Sequence, residues 1–338
     1  MDLDYCGLRH GVSKPDATDT PRNVAWGTVT EPAHDGLNFV TFRADDKPER
    51  LDGWYEAQQR GFHQGRTSEE LRQHFGEHLR ADDVVLRGVW QDSPALGSGT
   101  IPVATYASYD KTLNTGNTGN TGSGLQRVRM ISDVTVSPTH RRRGLLRTMM
   151  TVDLADAVEQ GVPLAVLTAS EGAIYGRFGF GPAIFEHALE VDTGPRFALR
   201  PFVDDGSVEL LEPAEAWPAM AQIFARFHEQ TRGSVERPQF YEPILTGAFN
   251  FEDGEDRKLR TAVHVDGSGT PDGYVAYRPN PRKDGPARSM SATWSRSRRR
   301  RTSGSGVSSP TSTSATASSG AEPPSTIPSC GPWSIPTG

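Results

Sequence analysis

Hydrophobic residues alternate or recur at helical spacing along most of residues 37–200, and this pattern divides the segment into short strands and helices. Alternating or continuous apolar runs predict strands at Asn38–Phe42, Val84–Val89, Ile101–Tyr109, Val128–Val136, Pro163–Thr168 and Phe185–Val191. Apolar residues every three or four positions predict helices at Leu51–Gln64, Glu69–Leu79, Gly144–Glu159 and Ser170–Phe178. The wholly apolar run Pro163–Thr168 is typical of a strand buried in a parallel or mixed sheet, so we expect an α+β domain over residues 37–200.

The same mixed order begins again after residue 200 and predicts a second, similar domain over residues 201–288. Its predicted elements are helices at Trp217–Glu229 and Phe240–Leu245 and strands at Leu259–Val265 and Gly273–Arg278. Residues 1–36 are rich in Pro, Asp and Thr without periodicity, which predicts a disordered leader. Three copies of Asn-Thr-Gly at 114–122 favour a flexible insertion between two strands over a binding loop.

Composition separates the end of the chain from the rest. Residues 289–338 hold 15 Ser, 7 Thr and five Arg with one acidic residue, Glu322, which predicts a low-complexity tail. Without this tail the chain has 31 basic and 41 acidic side chains, a net charge of −10. A negative body favours cationic substrates or partners over nucleic acid.

Cysteine usage and hydropathy indicate the compartment. The two cysteines, Cys6 and Cys330, lie at opposite ends of the chain and have no metal-ligand spacing. The first residues lack the basic and apolar regions of a signal peptide, and no run of 18 apolar residues occurs. We therefore expect a cytoplasmic protein with no metal and no membrane partner.

Candidate chemistry is concentrated where the strand Val128–Val136 runs through a basic loop, Thr139-His-Arg-Arg-Arg-Gly144, into the next helix. Gly144 permits a tight turn and the close approach of a ligand, and the first amides of the helix are unsatisfied donors at the positive end of its dipole. Arg142, Arg143 and Arg147 add charge suited to a polyphosphate. The alternative is a solvated basic run, which the flanking strand and helix make less favourable.

This loop resembles the acetyl-CoA pyrophosphate loop of the GNAT acetyltransferases, usually Gln/Arg-x-x-Gly-x-Gly/Ala, although Leu146 stands at the last position. A second block reads Leu167-Thr-Ala-Ser-Glu-Gly-Ala-Ile-Tyr-Gly-Arg-Phe-Gly-Phe-Gly-Pro182. Together the two motifs closely resemble the Eis (enhanced intracellular survival) family of GNAT N-acetyltransferases. The segments Trp54–Phe62 and Pro102–Tyr106 fit the same family, and the resemblance covers roughly residues 38–288.

The resemblance implies an α+β fold of tandem GNAT domains and a set of site residues. The implied contacts with acetyl-CoA are the strand backbone at Val134, Thr135 and Val136, the loop and helix residues Arg142, Arg143, Gly144, Leu145, Leu146 and Arg147, and Ser170 with Glu171. Tyr175 has the family's general-acid position and would protonate the CoA sulfur, since a tyrosine of pKa about 10 is protonated at neutral pH. The alternative for Tyr175 is a core tyrosine beside Phe178 and Phe180.

The resemblance also implies the reaction and the assembly. The implied acceptors are primary amines of polycations, either aminoglycosides, which implies aminoglycoside resistance, or lysine side chains. The implied assembly is a homohexamer. In the family, a C-terminal carboxylate on a third, sterol-carrier-like domain is the catalytic base. The 289–338 segment is too poor in large apolar residues to form that domain, so the sequence leaves the base unassigned and the position of the Gly338 carboxylate open.

The end of the chain has two interpretations. Residues 289–338 are either a genuine tail or a frameshifted end, and we favour the second, because the genetic code permits an amphipathic helix in a neighbouring reading frame of Arg300–Ala315.

Three functions are compatible with the sequence, and we favour an acetyl-CoA-dependent N-acetyltransferase. The alternatives are a non-catalytic acetyl-CoA-binding remnant and, least favoured, a nucleic-acid binder that uses the arginines of the tail.

Overall fold

The computed structural model describes residues 36–66, 68–97, 99–116, 124–169, 172–184, 190–192, 203–250, 254–280 and 289–296. Several predictions lie outside the described residues: the leader up to residue 35, most of the Asn-Thr-Gly repeat, the two cofactor contacts Ser170 and Glu171, and the tail after residue 296.

The first sheet has five strands that are neighbours in chain order. They are β1 (Leu37–Phe42), β2 (Val85–Gln91), β3 (Ala104–Asn114), β4 (Leu125–Val136) and β5 (Leu164–Leu167). The pairs from β1 to β4 are antiparallel and β4 pairs with β5 in parallel, so the predicted mixed sheet is confirmed. The helices of this unit are α1 (Pro48–Gly61), α2 (Glu69–Ala81), α3 (Leu145–Glu159) and α4 (Gly172–Tyr175), with 3-10 turns at Pro138–His140 and Gly176–Phe178.

Two hydrophobic layers cover the two faces of this sheet. The α1/α2 layer packs helix residues such as Trp54 and Leu79 on Leu86 of the sheet. The α3 layer packs Leu145 and Met149, among others, on the opposite face. The sheet therefore separates a compartment under α1 and α2 from a compartment under α3.

Local sequence explains where these helices begin. Pro48 occupies the first turn of α1, and the Ser68 hydroxyl caps α2 by accepting a hydrogen bond from the Leu71 amide at 3.1 Å. Gly144 precedes α3 in the left-handed conformation, with φ of 83°. A residue with a β-carbon is strained there, so the glycine lets the chain turn sharply from the loop into the helix.

A second five-stranded sheet has the order β6-β10-β9-β8-β7 and antiparallel pairing throughout. Its strands are β6 (Glu190–Asp192), β7 (Ser207–Leu211), β8 (Arg260–Val265), β9 (Pro271–Asn280) and β10 (Ser289–Arg296). Its helices are α5 (Pro213–Gln230) and α6 (Tyr241–Thr246), and Met220 and Ile223 of α5 pack with Val263 and Tyr274 of the sheet.

This second sheet crosses two predicted domain boundaries. β10 lies in the segment that the serine content assigns to the tail, yet it pairs with β9 along its whole length. Its alternation of serine or threonine with Met290, Ala292 and Trp294 is a strand pattern that the overall composition concealed. β6 precedes the boundary at residue 200 and pairs with β10, because backbone pairing does not follow sequence proximity. In the part of the chain that is described, no helix has the length and apolar character needed to cross a membrane.

Candidate functional site

β4 and β5 separate along the sheet and leave one edge of β4 exposed. Their parallel pairing runs only from Val128 opposite Leu164 to Ile131 opposite Leu167. β4 continues to Val136, and in the described ranges its last residues pair only with β3. Backbone donors and acceptors on the β5 side of this segment can therefore bind an extended chain in the manner of an added strand.

A β-bulge interrupts β4 at the same place. Ser132 lies opposite Ala107 and Thr135 lies opposite Thr105, so β4 contains one more residue than β3 in this interval. Asp133 is in the bulge with a φ of 53°, a conformation that few non-glycine residues adopt. The bulge is held from β3, because the Thr105 hydroxyl donates to the Asp133 carbonyl at 2.7 Å.

The bulge also changes which side chains face which layer. Met130 packs with the α1/α2 layer and Ile131 with the α3 layer, as alternation requires. After the extra residue, Val134 and Val136 pack with the α3 layer. Asp133 accordingly faces the α1/α2 layer, where it contacts α1.

The predicted pantetheine strand, Val134–Val136, forms the exposed edge. Thr135 is buried, with its hydroxyl 2.6 Å from the Thr105 hydroxyl, and the two valine side chains belong to the α3 layer. These side chains are therefore occupied within the protein. The groups that this segment can offer a ligand are backbone amides and carbonyls.

The predicted pyrophosphate loop follows directly from this edge. Arg142 and Gly144 both have positive φ, 64° and 83°, so the loop makes two tight reversals before α3 begins. Gly144 has no side chain to cap the helix, and the first turn of α3 contains no acidic residue. The amides of the first turn are thus available to an anion at the positive end of the helix dipole.

The charges of the loop point to solvent. Arg142, Arg143 and Arg147 are exposed, whereas Leu145 is buried in the α3 layer and Leu146 is partly buried. The two leucines therefore offer a ligand their backbone amides only. Burial, together with the charge of Arg143, lowers the pKa of His140, so this buried ring is neutral at pH 7 and the arginines supply the positive charge.

Tyr175 is the last residue of α4 and lies on the α3 side of the first sheet. It is partly buried and packs with the α3 layer, which also contains Val134, Val136 and Leu167. Its ring meets Phe180 edge-on at a centroid distance of 6.2 Å. The structure thus places Tyr175 in the same hydrophobic layer as the side chains of Val134 and Val136.

Sequence analysis missed a buried ionic network that fixes α3 to the sheet. Asp153 of α3 is fully buried and accepts hydrogen bonds from Arg87 and Arg129 at 2.8 Å each. The hydroxyls of Ser108 and Tyr106 also donate to it, at 2.6 and 2.8 Å. The signal was present as arginines at inward positions of predicted strands, which occur in cores only when they are paired.

Sequence analysis also missed a polar cluster on the other face, under α1. Gln58 donates through Nε2 to Asp133 Oδ1 at 3.0 Å, and Gln59 donates to the side-chain oxygen of Gln58 at 3.0 Å. The hydroxyl of Tyr55 is buried in the same region. A single charged residue, Asp133, within the predicted strand segment Ile131–Val136 is the sequence feature that could have indicated this cluster.

Comparison with known proteins identifies the region that contains this site as an acetyltransferase domain. A family model described as an acetyltransferase (GNAT) domain covers residues 46–183, a range that contains the β4 edge, the arginine loop and Tyr175. The N-acetyltransferase Eis of Mycobacterium tuberculosis (strain ATCC 25177 / H37Ra) is 40% identical over 154 residues, which are 44% of this chain and 36% of that protein. The crystal structure of Eis1 from Mycobacterium abscessus superimposes with a TM-score of 0.50 at 26% identity and covers 72% of this chain and 53% of that one.

Residues 46–183 thus match an acetyltransferase (GNAT) domain, and the chain is similar to the Eis N-acetyltransferases. A further relative, an uncharacterized N-acetyltransferase of Streptomyces coelicolor, is 35% identical over 198 residues, which are 58% of this chain and 45% of that protein. The chain thus spans less than half the length of these two relatives. A GCN5-related N-acetyltransferase of Anabaena variabilis, with a TM-score of 0.53 at 15% identity, shares the fold.

Proposed function

We propose that this chain is an acetyl-CoA-dependent N-acetyltransferase that transfers acetyl groups to primary amines of polycationic acceptors such as aminoglycosides or lysine side chains. The observation that carries the proposal is the exposed edge of β4 leading directly into the arginine loop and the start of α3. An extended pantetheine arm fits an unpaired strand edge, and a pyrophosphate fits uncapped helix amides flanked by arginines.

In this arrangement, backbone groups of β4 and α3 and the arginine side chains of the loop would bind acetyl-CoA together. The amides and carbonyls of Val134–Val136 would pair with the pantetheine arm and fix its direction along β4. The amides of Leu145, Leu146 and Arg147 would receive the phosphates, and Arg142 and Arg143 would neutralise their charge. The arm would then lead from the loop toward the bulge, so that the thioester lies near Asp133 and Tyr175.

Tyr175 is proposed as the group that protonates the departing sulfur. It lies on the α3 side of the β4 edge, and a phenol holds its proton at neutral pH. Ser170 and Glu171 remain part of the proposed cofactor site on the strength of the sequence motif alone.

The acceptor is proposed to approach from the α1 side, opposite Tyr175. Without residues 289–338 the chain carries a net charge of −10, which attracts polycations at long range. The second sheet is proposed to be a second GNAT-like unit that borders the acceptor side, since the 233–236 segment of this unit contacts β3. Family likeness also carries the expectation of a homohexamer, which sedimentation velocity of the full chain tests.

Release of CoA thiol from acetyl-CoA, with and without neomycin as a polyamine acceptor, tests this proposal. Tyr175→Phe should lower turnover by roughly 10²–10⁴-fold, the usual contribution of a general acid, while acetyl-CoA affinity stays unchanged. Tyr277→Phe, the same substitution in the second sheet, is the control and should leave turnover unchanged. Loss of acetyl-CoA affinity in Tyr175→Phe would show that the tyrosine only supports the binding site.

A further inference from the structure

Asp133 is a carboxylate placed by the β4 bulge on the side of the sheet from which an acceptor would approach. Its φ of 53° turns the side chain toward α1, where Gln58 donates to Oδ1 at 3.0 Å. Gln58 is itself fixed by Gln59, and both glutamines are buried, at 7% and 2% exposure. A strained backbone and two buried amides thus hold a single carboxylate oriented at the point where β4 and β5 separate.

Beside this carboxylate lies a buried hydroxyl without a partner. Tyr55 is 2% exposed, and its hydroxyl makes no hydrogen bond with the residues that the structure describes. Tyr55 lies three residues before Gln58 on α1, so the two side chains share one face of the helix. Burial and the negative charge of Asp133 both raise the pKa of Tyr55. An unsatisfied buried hydroxyl costs folding free energy, and a ligand bound at Asp133 would satisfy this one.

Asp133 and Tyr175 lie on opposite sides of the same strand edge. Asp133 faces the α1/α2 layer, and Tyr175 packs with the α3 layer beside Val134 and Val136. A thioester lying along this edge would have a proton acceptor on one side and a proton donor on the other. This arrangement suits aminolysis, because the attacking nitrogen must lose a proton and the departing sulfur must gain one.

We propose that the Asp133 carboxylate binds the reacting amine of the acceptor and takes its proton during transfer, with the Tyr55 hydroxyl as a second hydrogen-bonding partner of the acceptor. The inference rests on the proposed acetyltransferase function and supplies the base that the sequence left unassigned.

The transfer step balances with these two groups. The acceptor's ammonium first loses one proton to water and enters as the neutral amine. The nitrogen lone pair forms the N–C bond with the acetyl carbon, and the nitrogen's surplus proton passes to Asp133. The C–S bond breaks with its electron pair on sulfur, and sulfur receives the phenolic proton of Tyr175. Transfer of the Asp133 proton through water to the Tyr175 phenolate restores both groups.

The surroundings of Asp133 suit this role. Burial raises its pKa, while the hydrogen bond from Gln58, the charge of His78 on α2 and a hydrogen bond from Ser132 act in the opposite direction. The other ionisable groups that face it are Tyr55 on α1 and Tyr109 on β3, both neutral at pH 7 because burial raises their pKa values. A carboxylate of raised pKa is a stronger base than an exposed one and is still ionised once the pH exceeds that pKa.

Asp133→Asn tests the inference with little structural change. Asparagine has the same shape, tolerates positive φ and keeps an oxygen for the Gln58 hydrogen bond. The control is Asp83→Asn, since Asp83 also has positive φ, 49°, but its side chain is 74% exposed and pairs with Arg43 on the surface. In the full chain we expect Asp133→Asn to lower kcat with neomycin by roughly 10²–10⁴-fold at unchanged acetyl-CoA affinity, and Asp83→Asn to have no effect.

Tyr55→Phe separates binding from proton transfer. We expect it to raise the KM for neomycin with a smaller effect on kcat, and to leave the unfolding temperature unchanged or higher because an unpartnered hydroxyl is removed. The pH profile of wild-type kcat/KM should rise through the pKa of Asp133, and this rise should be absent in Asp133→Asn.

The outcomes distinguish this inference from the function on which it rests. Wild-type turnover in Asp133→Asn overturns the role of Asp133 and leaves the acetyltransferase proposal intact. If the wild-type chain binds acetyl-CoA but releases no thiol, the acetyltransferase proposal fails, and calorimetric titration with neomycin then decides the amine site. Binding about tenfold weaker in Asp133→Asn than in Asp83→Asn supports the site, and equal binding overturns it.

Discussion

The buried environment that suits Asp133 to its proposed role as a base also lowers the stability of the folded chain at neutral pH. Burial disfavours the charged carboxylate and raises its pKa in the folded chain, whereas the unfolded chain has an ordinary aspartate pKa of about 3.9. The folded chain therefore binds this proton more tightly than the unfolded chain does. As a result, the contribution of Asp133 to the free energy of unfolding is greatest at low pH, where the carboxyl is protonated in both states. It declines as the pH rises through the interval between the two pKa values. A residue that costs stability at neutral pH is expected where function requires it.

We therefore expect Asp133→Asn to unfold at the same or a higher temperature than the wild type at pH 7. The gain should shrink as the pH is lowered to the unfolded pKa of about 3.9 and below, because the folded carboxyl, whose pKa is raised, then takes up its proton. Thermal unfolding followed by circular dichroism at both pH values measures this. A substantially lower unfolding temperature for the variant at pH 7 would show that the carboxylate stabilises the bulge.

Close packing between the end of α1 and β4 requires a glycine at Gly61. A β-carbon at this position would lie 2.3 Å from Thr135 Cγ2, so any side chain would push the end of α1 away from β4. Gly61→Ala should lower stability by about 1–3 kcal/mol and raise the KM for the acceptor, because Gln58 and Tyr55 move with α1. Gly65→Ala is the control, since a β-carbon at that position would have no atom within 4 Å. Urea unfolding of both variants measures the difference, and equal stability would contradict the packing argument.

At the scale of elements, α3 is the helix that connects folding to ligand binding. Its first turn follows the arginine loop, and its middle is anchored by Asp153, which is buried between Arg87 and Arg129. The loop therefore sits on a helix that cannot shift without breaking a buried ionic network. This arrangement gives the proposed pyrophosphate site a rigid support.

Asp153→Ala should destabilise the chain by about 3–5 kcal/mol, because it leaves two buried arginines without their shared carboxylate. Asp156→Ala is the comparison: this carboxylate also pairs with Arg87, but its side chain is 41% exposed and its loss should cost about 1 kcal/mol or less. Urea unfolding gives both values. Equal losses would mean that the buried network does not anchor α3.

Several elements could be predicted from local pattern and others could not. The helix at Gly144–Glu159 and the strand at Val128–Val136 match α3 and β4 closely, since apolar periodicity and glycine at the turn are local signals. β3 extends to Asn114, five residues past the prediction. The extension depends on Asn114, whose side chain donates to the His228 carbonyl at 2.7 Å, and no local pattern reports such a distant contact.

The difference between local patterns and distant contacts also explains which site residues could be predicted from the sequence. The loop arginines and Tyr175 lie in short motifs that a single segment carries. Asp133 acquires its environment from α1, α2 and β3, which only the folded chain brings together. Its neighbours Gln58 and Tyr55 lie about 75 residues away in sequence, and Tyr109 on the neighbouring strand is about 24 residues away.

At the scale of the whole molecule, the first sheet and the second unit are joined through the end of β3. Asn114 and Leu113 pair with the 231–235 segment through backbone hydrogen bonds and a bridge to Val235. His228 is 5% exposed at this junction, with Nε2 2.8 Å from the Thr112 hydroxyl and Nδ1 3.2 Å from the Ser234 hydroxyl. A neutral ring satisfies both contacts, and burial lowers the pKa of His228 accordingly.

The junction should therefore lose stability in acid. Below the unfolded histidine pKa of about 6.5, the unfolded chain binds a proton more readily than buried His228 does. The contribution of His228 to the free energy of unfolding therefore falls as the pH drops toward its lowered folded pKa.

His264 should behave in the opposite way, because its hydrogen bond to Asp272 raises its pKa. Its contribution to the free energy of unfolding is complete below about pH 6.5 and is lost as the pH rises through the folded pKa. Unfolding temperatures of His228→Gln and His264→Gln between pH 5 and 8 check both signs. Parallel pH profiles for the two variants would contradict this account.

The most direct measurement of the central claim is the mass spectrum of neomycin after incubation with the full wild-type chain and acetyl-CoA. A chain whose β4 edge and arginine loop hold acetyl-CoA beside an acceptor amine predicts one acetyl group gained by neomycin for each CoA released. The double variant Arg142→Ala/Arg143→Ala should need more acetyl-CoA for the same yield, by about tenfold, since it lacks two phosphate contacts. Unmodified neomycin after prolonged incubation, with acetyl-CoA bound but intact, would contradict the claim that this chain is an acetyltransferase.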